Sequence, residues 1–229
     1  MSNNPNNFYV IPQLRLCDGE LLCKPNGKRA LREVHFQQGT LDGACGVYSF
    51  LMALGILGVF EPRNITVDRM KDLPAKEQGF VRELHKHGLC RKGLYGEEIK
   101  GLLESHYRSR IQVDYVEKEN KTEEFLQTVL DSLEVGSPCI LGISNRRRKF
   151  GHWVLAVGYQ YDSDTELLGF LILDPGVSSP KMMLWNGMLN LVSDGSKCEY
   201  LTIDSRPEDI LTVEIDDAVI ISRKSKTKK

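Results

Sequence analysis

The chain has 229 residues, of which 41% are hydrophobic and 27% are charged, and its formal net charge is −1 at pH 7. This length can bury one sizeable core, and the balanced charge excludes a general attraction to nucleic acid or to anionic membranes. The first apolar run, residues 8–12, is too short for a signal peptide. The six cysteines are scattered, as is typical of reduced thiols. We therefore expect a cytoplasmic protein, or one that is secreted into a target-cell cytoplasm without a classical signal peptide.

Helices dominate the first part of the predicted fold. Residues 1–7 are polar and are predicted to be disordered. A glycine-rich loop then leads into a helix at about 45–59 that is apolar on nearly all sides, which predicts that it is buried. Thr122 as N-cap and Gly136 as stop mark the clearest later helix. The spacing of apolar residues predicts the later helices at 76–88, 96–108 and 122–136.

Strands are predicted after Pro138, where short runs rich in Val, Ile, Leu and Tyr are broken by Gly, Asp, Ser and Pro. Residues 223–229 form a basic tail that is predicted to be disordered. Residues 8–222 are expected to form one α+β domain, in which a helical lobe with a buried helix packs on an antiparallel sheet. The predicted strands are 139–143, 152–161, 169–174, 181–185, 198–203, 210–215 and 218–222.

Cys45 stands where the glycine-rich loop meets the apolar helix. A free thiol has a pKa of about 8.5, and the unpaired N–H groups at a helix N-terminus favour the thiolate that a nucleophile needs. Gly43 and Gly46 flank it and leave room for a substrate backbone. Since inert buried cysteines are also common at such positions, the interpretation depends on a base nearby.

His152 opens one predicted strand, and Asp174 ends another. If residue 152 lies opposite residue 174 in an antiparallel hairpin, the turn is centred on residue 163. The strongest turn signal between the strands, residues 162–166, surrounds that position. The two side chains would then share one face, which predicts a triad of nucleophile, base and orienting carboxylate.

A glutamine before the cysteine is expected to help bind the oxyanion of an acyl-transfer reaction. A side-chain amide and the backbone N–H of Cys45 could together hold that oxygen. Gln38 is favoured over Gln37, although the sequence leaves both possible. Trp153 is either a bulky wall of the substrate cleft beside His152 or a core residue on the opposite face of the strand.

No cofactor or metal ion is expected. His85, His87 and Cys90 lie close enough in sequence to suggest a zinc site, but no fourth ligand is spaced near them. The chemistry is therefore assigned to Cys45 and His152.

At Gln38, Cys45–Gly46, the run from His152 to Tyr159 and Asp174–Pro175, the sequence resembles papain-like cysteine peptidases. Within them it is most similar to the double-glycine leader peptidases, and the run around Cys45 also resembles stand-alone bacterial effector peptidases. The resemblance implies cleavage of a protein or peptide substrate without a cofactor, with Gly-Gly specificity and a toxin role as further implications. A cognate inhibitor or immunity protein would then be a partner.

Two other functions use or keep the same residues. A deamidase or transglutaminase forms the same acyl-enzyme on a protein target, and a binding module could retain the fold without catalysis. We expect no nucleic-acid or membrane partner.

Overall fold

The computed structural model describes residues 7–25, 30–39, 43–61, 71–86, 93–119, 121–162, 166–192 and 195–224. Its helices are α1 (Cys45–Ile56), α2 (Ala75–Lys86), α3 (Gly96–Tyr107) and α4 (Thr122–Glu134). Its strands are β1 (Asn7–Val10), β2 (Leu14–Cys17), β3 (Glu20–Cys23), β4 (Arg32–Glu33), β5 (Ile111–Glu117), β6 (Cys139–Asn145), β7 (Phe150–Tyr161), β8 (Leu167–Leu173), β9 (Gly187–Val192), β10 (Lys197–Thr202) and β11 (Leu211–Arg223).

Six antiparallel strands close into a barrel. In the order β7, β6, β11, β10, β9 and β8, each strand pairs with the next, and β8 pairs back with β7. Strand β1 pairs with β7 beyond the part of β7 that pairs with β6, and β5 pairs with β11 beyond the part of β11 that pairs with β10. The smaller sheet contains β2, β3 and β4. The predicted α+β class with an antiparallel sheet is confirmed. The closure of that sheet into a barrel was not predicted from the sequence.

Helix α1 is buried because apolar residues occupy nearly every side of it. Only Tyr48 and Gly55 of its residues are half-buried rather than buried. It packs against β6, β7 and α3. Its buried Ser49 donates a hydrogen bond from Oγ to the carbonyl oxygen of Trp153 at 3.2 Å. This bond ties the helix that begins with Cys45 to the strand that contains His152.

The remaining helices occupy two places around the barrel. Helix α3 contacts α1, α2 and β5, whereas α4 packs on β6, β7 and β11. Thr122 is the first residue of α4 and Lys121 is its N-cap, so the predicted cap was one residue late. Gly136 has φ +76°, a left-handed conformation that ends the helix as predicted.

Several described strands have other bounds than predicted. Asn7 begins β1 and Arg223 ends β11, whereas the domain limits of 8 and 222 stay a prediction. Residues 1–6 and 225–229 lie outside the described residues. The two predicted strands at 210–215 and 218–222 correspond to one strand, β11, which begins at Leu211 and continues through a bulge.

Residues 181–185 were wrongly predicted as a strand. Lys181 makes a single bridge with Glu20, and Met182 has φ +62°, which no regular strand allows. The strand in this region is instead β9, which starts at Gly187, two residues after the end of the predicted strand. None of the described helices has the length and apolar character needed to span a membrane.

Candidate active site

Cys45 is the first residue of α1, and its side chain is buried. The N-cap residue, Ala44, has no side chain that could bond to the free N–H groups of the first turn, and that turn contains no acidic residue. The positive end of the helix dipole therefore acts on the sulfur without a competing negative side chain on the same turn.

The Cys45 thiol is hydrogen-bonded to His152, and its pKa lies below the ordinary value of 9.0. Burial raises the pKa, but the hydrogen bond and charge of His152, with smaller help from the N–H groups of Trp153 and Gly46, lower it further than burial raises it. The surroundings of the sulfur thus favour a thiolate.

His152 links the thiol to a buried carboxylate. Its Nε2 lies 2.7 Å from Oδ1 of Asp174, which leaves Nδ1 as the ring nitrogen available to Cys45. Burial lowers the pKa of His152, but hydrogen bonds and negative charge from Asp174 and Cys45 raise it to about 9. The geometry and the two opposite pKa shifts favour a thiolate–imidazolium pair at neutral pH.

Asp174 is 0% exposed and is held as a carboxylate by three donors. Oδ1 accepts from His152 and, at 2.6 Å, from the backbone N–H of Gly176. Oδ2 accepts from the Tyr200 hydroxyl. Burial raises the pKa of Asp174, but His152, Tyr200 and Gly176 lower it below its ordinary value. The carboxylate is therefore ionised despite its complete burial.

The main chain of Asp174 is clamped by Asn186. Asn186 accepts from the Asp174 N–H at 2.6 Å and donates from Nδ2 to the Asp174 carbonyl oxygen at 2.9 Å. Nε2 of His35 lies 2.8 Å from the same carbonyl oxygen and donates to it. Burial is the main cause that lowers the pKa of His35. Together these bonds fix the end of β8 where the carboxylate leaves the barrel.

Gln38 is bonded to the residue that follows Asp174 and lines the cleft beside Cys45 and His152. Its N–H donates to the carbonyl oxygen of Pro175 at 2.8 Å. Its Oε1 is buried without a hydrogen-bond partner among the described residues. Gln37 is exposed and is not among the residues that line the cleft. The position of Gln38 therefore suits the predicted oxyanion contact better than that of Gln37.

The cleft beside Cys45 and His152 has a volume of about 620 Å³. Gly43 and Trp153 both line it, together with residues of β6, β11 and the segment before α3. Trp153 is 9% exposed, and its Nε1 donates to the carbonyl oxygen of Leu94 at 2.7 Å. The indole is thus packed into the core and also forms part of the cleft floor, so the two alternatives for Trp153 both describe it in part.

The predicted strand register was wrong by two residues. Leu155 pairs with Leu173, so Asp174 comes next to Val154 and not opposite His152. Because the shift is an even number of residues, the two side chains remain on the same face and meet diagonally. The strands are connected at the predicted place, where the Asp162 N–H donates to the Glu166 carbonyl oxygen at 3.0 Å; residues 163–165 lie outside the described residues.

Three residues around the triad were missing from the sequence analysis, namely Tyr200, Asn186 and His35. Tyr200 belongs to a predicted strand, but its contact with Asp174 spans β9, which lies between β10 and β8, and no pattern within one strand predicts that contact. Asn186 precedes a glycine and would be predicted only as a turn residue. Of the possible zinc ligands, His87 and Cys90 lie outside the described residues, and the groups that are described contain no metal-binding cluster.

A cysteine at the start of a buried helix, with a histidine and a carboxylate on an antiparallel barrel, is the arrangement of a papain-like cysteine peptidase. The chain belongs to the Peptidase_C39-like family, whose sequence model matches residues 32–188. These residues make up more than half of the chain and include Cys45, His152 and Asp174. No curated protein matches the chain.

Two solved structures are similar to this chain at low sequence identity. A protein of Bacillus anthracis described as a C39-like peptidase is 16% identical, with a TM-score of 0.43; the match covers 85% of this chain and 96% of that one. UfSP from C. elegans is 15% identical, with a TM-score of 0.45, and the match covers 90% of this chain but 36% of that one. Both TM-scores are below 0.5, so neither likeness bears on the activity or substrate of this chain.

Proposed function

We propose that the protein hydrolyses peptide bonds of a protein or peptide substrate through a triad of Cys45, His152 and Asp174. The observation that supports this most is the continuous hydrogen-bonded chain from the Cys45 thiol through His152 to the buried Asp174. The pKa shifts along it, downward for Cys45 and upward for His152, favour the charge state that nucleophilic attack requires.

In the first half of this reaction the Cys45 thiolate attacks the carbonyl carbon of the scissile peptide bond. The C–N bond breaks as the His152 imidazolium gives its Nδ1 proton to the leaving amine, and a thioester remains on Cys45. In the second half, His152 removes a proton from water as the water oxygen attacks the thioester. The C–S bond then breaks, and the thiolate and imidazolium are restored. Asp174 keeps the ring oriented in both halves.

Gln38 and the N–H of Cys45 are proposed to bind the oxyanion of each tetrahedral intermediate. The Gln38 amide has no hydrogen-bond partner within the described part of the chain, so its Nε2 can donate to a new acceptor. The N–H of Cys45 lies in the first turn of α1, where backbone donors have no partner within the helix. Donors that are already in place stabilise developing charge without reorganisation.

Cleavage after Gly-Gly is the proposed finer specificity. It is supported by the resemblance of the motifs to leader peptidases and by Trp153, which occupies part of the cleft floor next to the catalytic residues. The resemblance to effector peptidases extends the proposal to a toxin that acts in a target-cell cytoplasm and is restrained by an immunity protein.

The experiment that tests the proposal compares cells that express the wild-type protein with cells that express Cys45→Ala. New protein termini that occur only with the wild type would support a peptidase, and glycine at the last two positions before the cut would support the Gly-Gly specificity. A small mass change on a glutamine without a new terminus would instead identify a deamidase or transglutaminase. Identical proteomes from both proteins would contradict catalysis through Cys45.

A further inference from the structure

One wall of the catalytic cleft is formed where a bulge interrupts β11. The pairing of β11 with β6 shifts between Ile215 and Asp217. As a result, Asp216 and Asp217 both line the cleft that contains Cys45. Bulges commonly redirect side chains in this way, and this one directs acidic side chains of a barrel strand toward the place where a substrate would lie.

Asp217 lies on the cleft floor beside the indole of Trp153. It pairs with Gly142, which in turn pairs with Trp153 on the next strand. A Cβ atom placed on Gly142 would be 1.9 Å from Oδ1 of Asp217 and 3.0 Å from Cζ3 of Trp153. The carboxylate and the indole edge therefore share the space above Gly142, which only a glycine leaves open.

The distance from the triad to this carboxylate suits a neighbouring residue of a bound peptide. Asp217 is two strands away from His152, or roughly 10 Å at the usual spacing of strands. An extended peptide covers roughly that distance in three residues. A residue within three positions of the scissile bond can therefore bring its side chain to Asp217.

Tyr115 holds the carboxylate in this position. Its hydroxyl is 3.0 Å from Oδ2 of Asp217 and 2.9 Å from Oε1 of Glu117, and its ring lies against Gly96 at the start of α3. Oδ1 has no hydrogen-bond partner within the described part of the chain. One oxygen is thus fixed by the protein, and the other is available to a ligand.

Asp217 also has no cationic partner of its own among the described residues. The pKa of Asp217 is raised to about 6, mainly by burial and further by the negative charges of Asp216 and Glu117. The hydrogen bond from Tyr115 opposes this rise. The group is still mainly ionised at pH 7. A half-buried carboxylate without a counter-ion favours a positive group and disfavours a negative one.

We infer that Asp217 is a specificity-determining residue that binds the side chain of a lysine or arginine located within three residues of the scissile bond. This inference rests on the proposed peptidase function and specifies its substrate further. The ammonium or guanidinium group would pair with Oδ1 of Asp217, while the alkyl stem packs along Trp153. It is compatible with glycine at the scissile bond itself, because the two requirements concern different positions of the substrate.

Two cationic residues, Lys118 and Arg146, line a neighbouring groove together with Asp216 and Asp217. Lys118 is buried, and its Nζ donates to the carbonyl oxygen of Ser196 at 3.1 Å, which leaves Arg146 as the candidate for this role. Arg146 is exposed and forms no ion pair with any described residue. It is therefore expected not to compete strongly with a substrate cation, and Arg146→Ala should leave the preference for basic residues in place.

The test uses peptides prepared from a cell lysate with a glutamate-specific endopeptidase, which keeps lysine and arginine inside the peptides. The full chain, Cys45→Ala, Asp217→Asn, Asp217→Ser and Glu214→Gln are each incubated with this library, and mass spectrometry identifies the cleaved bonds. Glu214 is the matched control, because it is a carboxylate on the same strand that lines the neighbouring groove but not the cleft.

The wild type and Glu214→Gln should show lysine and arginine enriched about fivefold or more at one position within three residues of the cut, and both Asp217 variants should show no enrichment. For a single cleaved peptide, replacing that residue by norleucine should lower wild-type kcat/KM about tenfold, which corresponds to 1.4 kcal/mol. If cleavage depends on Cys45 but shows no such enrichment, or if both Asp217 variants keep the enrichment, the role of Asp217 is overturned. The peptidase proposal would stand in either case. No cleavage beyond that of Cys45→Ala would overturn the peptidase proposal and this inference with it.

Discussion

The hydroxyl of Tyr200 donates a hydrogen bond to Oδ2 of Asp174, the carboxylate oxygen that His152 does not contact. Tyr200 lies on β10, which is separated from β8 by β9 alone. A strand two places away from the end of β8 therefore supplies the donor that completes the hydrogen bonding of the buried carboxylate. Burial and the neighbouring Asp174 raise the pKa of Tyr200, so the phenol remains protonated and can only donate to the carboxylate.

Tyr200→Phe should therefore weaken the triad without removing any of its members. The change leaves Oδ2 buried without a donor, which costs roughly 1–3 kcal/mol of folding stability. It also removes one of the causes that lower the pKa of Asp174, so the acidic limit of activity should move to higher pH. Urea denaturation and the pH dependence of kcat/KM measure the two effects. Tyr159→Phe is the control, since Tyr159 stacks on Tyr9 away from the triad, and an equal shift of the pH profile in both variants would contradict the role of Tyr200.

Replacing Asp174 by Asn should harm activity less than replacing it by Ala. The amide oxygen of Asn can accept from His152 and Gly176 as Oδ1 does now, and its NH2 group can donate to Tyr200, because a hydroxyl both donates and accepts. Ala retains none of these bonds. We expect kcat/KM of Asp174→Asn to exceed that of Asp174→Ala by about tenfold, or 1.4 kcal/mol of activation free energy. Equal losses would mean that the negative charge, and not the orientation of the ring, is what His152 needs from position 174.

Cys45→Ala and His152→Ala should each abolish turnover while the protein stays folded. Each change should cost several kcal/mol of transition-state stabilisation, and the double variant should lose little more than either single one, because the two residues act as one unit. Circular dichroism checks the fold, and a single-turnover assay checks the loss. Full activity in either single variant would exclude the proposed triad.

The pH dependence should reflect the thiolate–imidazolium pair. The pKa of His152 is raised to about 9, so kcat/KM should fall as the pH rises through about 9, when the imidazolium loses its proton. The pKa of Cys45 is lowered, so activity and alkylation by iodoacetamide should persist below the pH at which an ordinary thiol is protonated. Stability linked to His152 is full below its ordinary pKa of 6.5 and is lost through about 9, whereas stability linked to Asp174 is lost as the pH falls. Alkylation of Cys45 with the profile of a free thiol would contradict the ion pair.

Local signals predicted the elements that carry the residues of the proposed triad. The change from a glycine-rich loop to an apolar run located the start of α1 at Cys45, because only a buried helix accommodates apolar residues on every side. Strand patterns around His152 and Asp174, together with a turn between them, located β7 and β8. Even the error of two residues in register kept the correct face, since side chains alternate with a period of two.

Contacts between distant segments could not be predicted in the same way. The barrel closes because β6 pairs with β11, two strands that are far apart in the sequence, and no local pattern specifies that pairing. The hydrogen bond of His35 to the Asp174 carbonyl oxygen joins residues that are 139 positions apart in the sequence. The bulge that directs Asp217 into the cleft lies in a segment whose acidic pair suggested a break between two strands.

Gln38→Ala should lower turnover far more than substrate binding. The loss of one oxyanion donor costs about a hundredfold in kcat in related acyl-transfer chemistry, because the contact forms only as charge develops on the substrate oxygen. The Gln38 backbone bond to Pro175 does not involve the side chain, so the loop should keep its position in the variant. Gln37→Ala is the matched control, since Gln37 is exposed and does not line the cleft. The measurement is kcat and KM for one cleaved peptide, alongside the rate of Cys45 alkylation, which forms no oxyanion and should be unchanged. A large loss in Gln37→Ala with none in Gln38→Ala would move the oxyanion role to the neighbouring residue, and a fall in alkylation with Gln38→Ala would show that the side chain supports the thiolate instead.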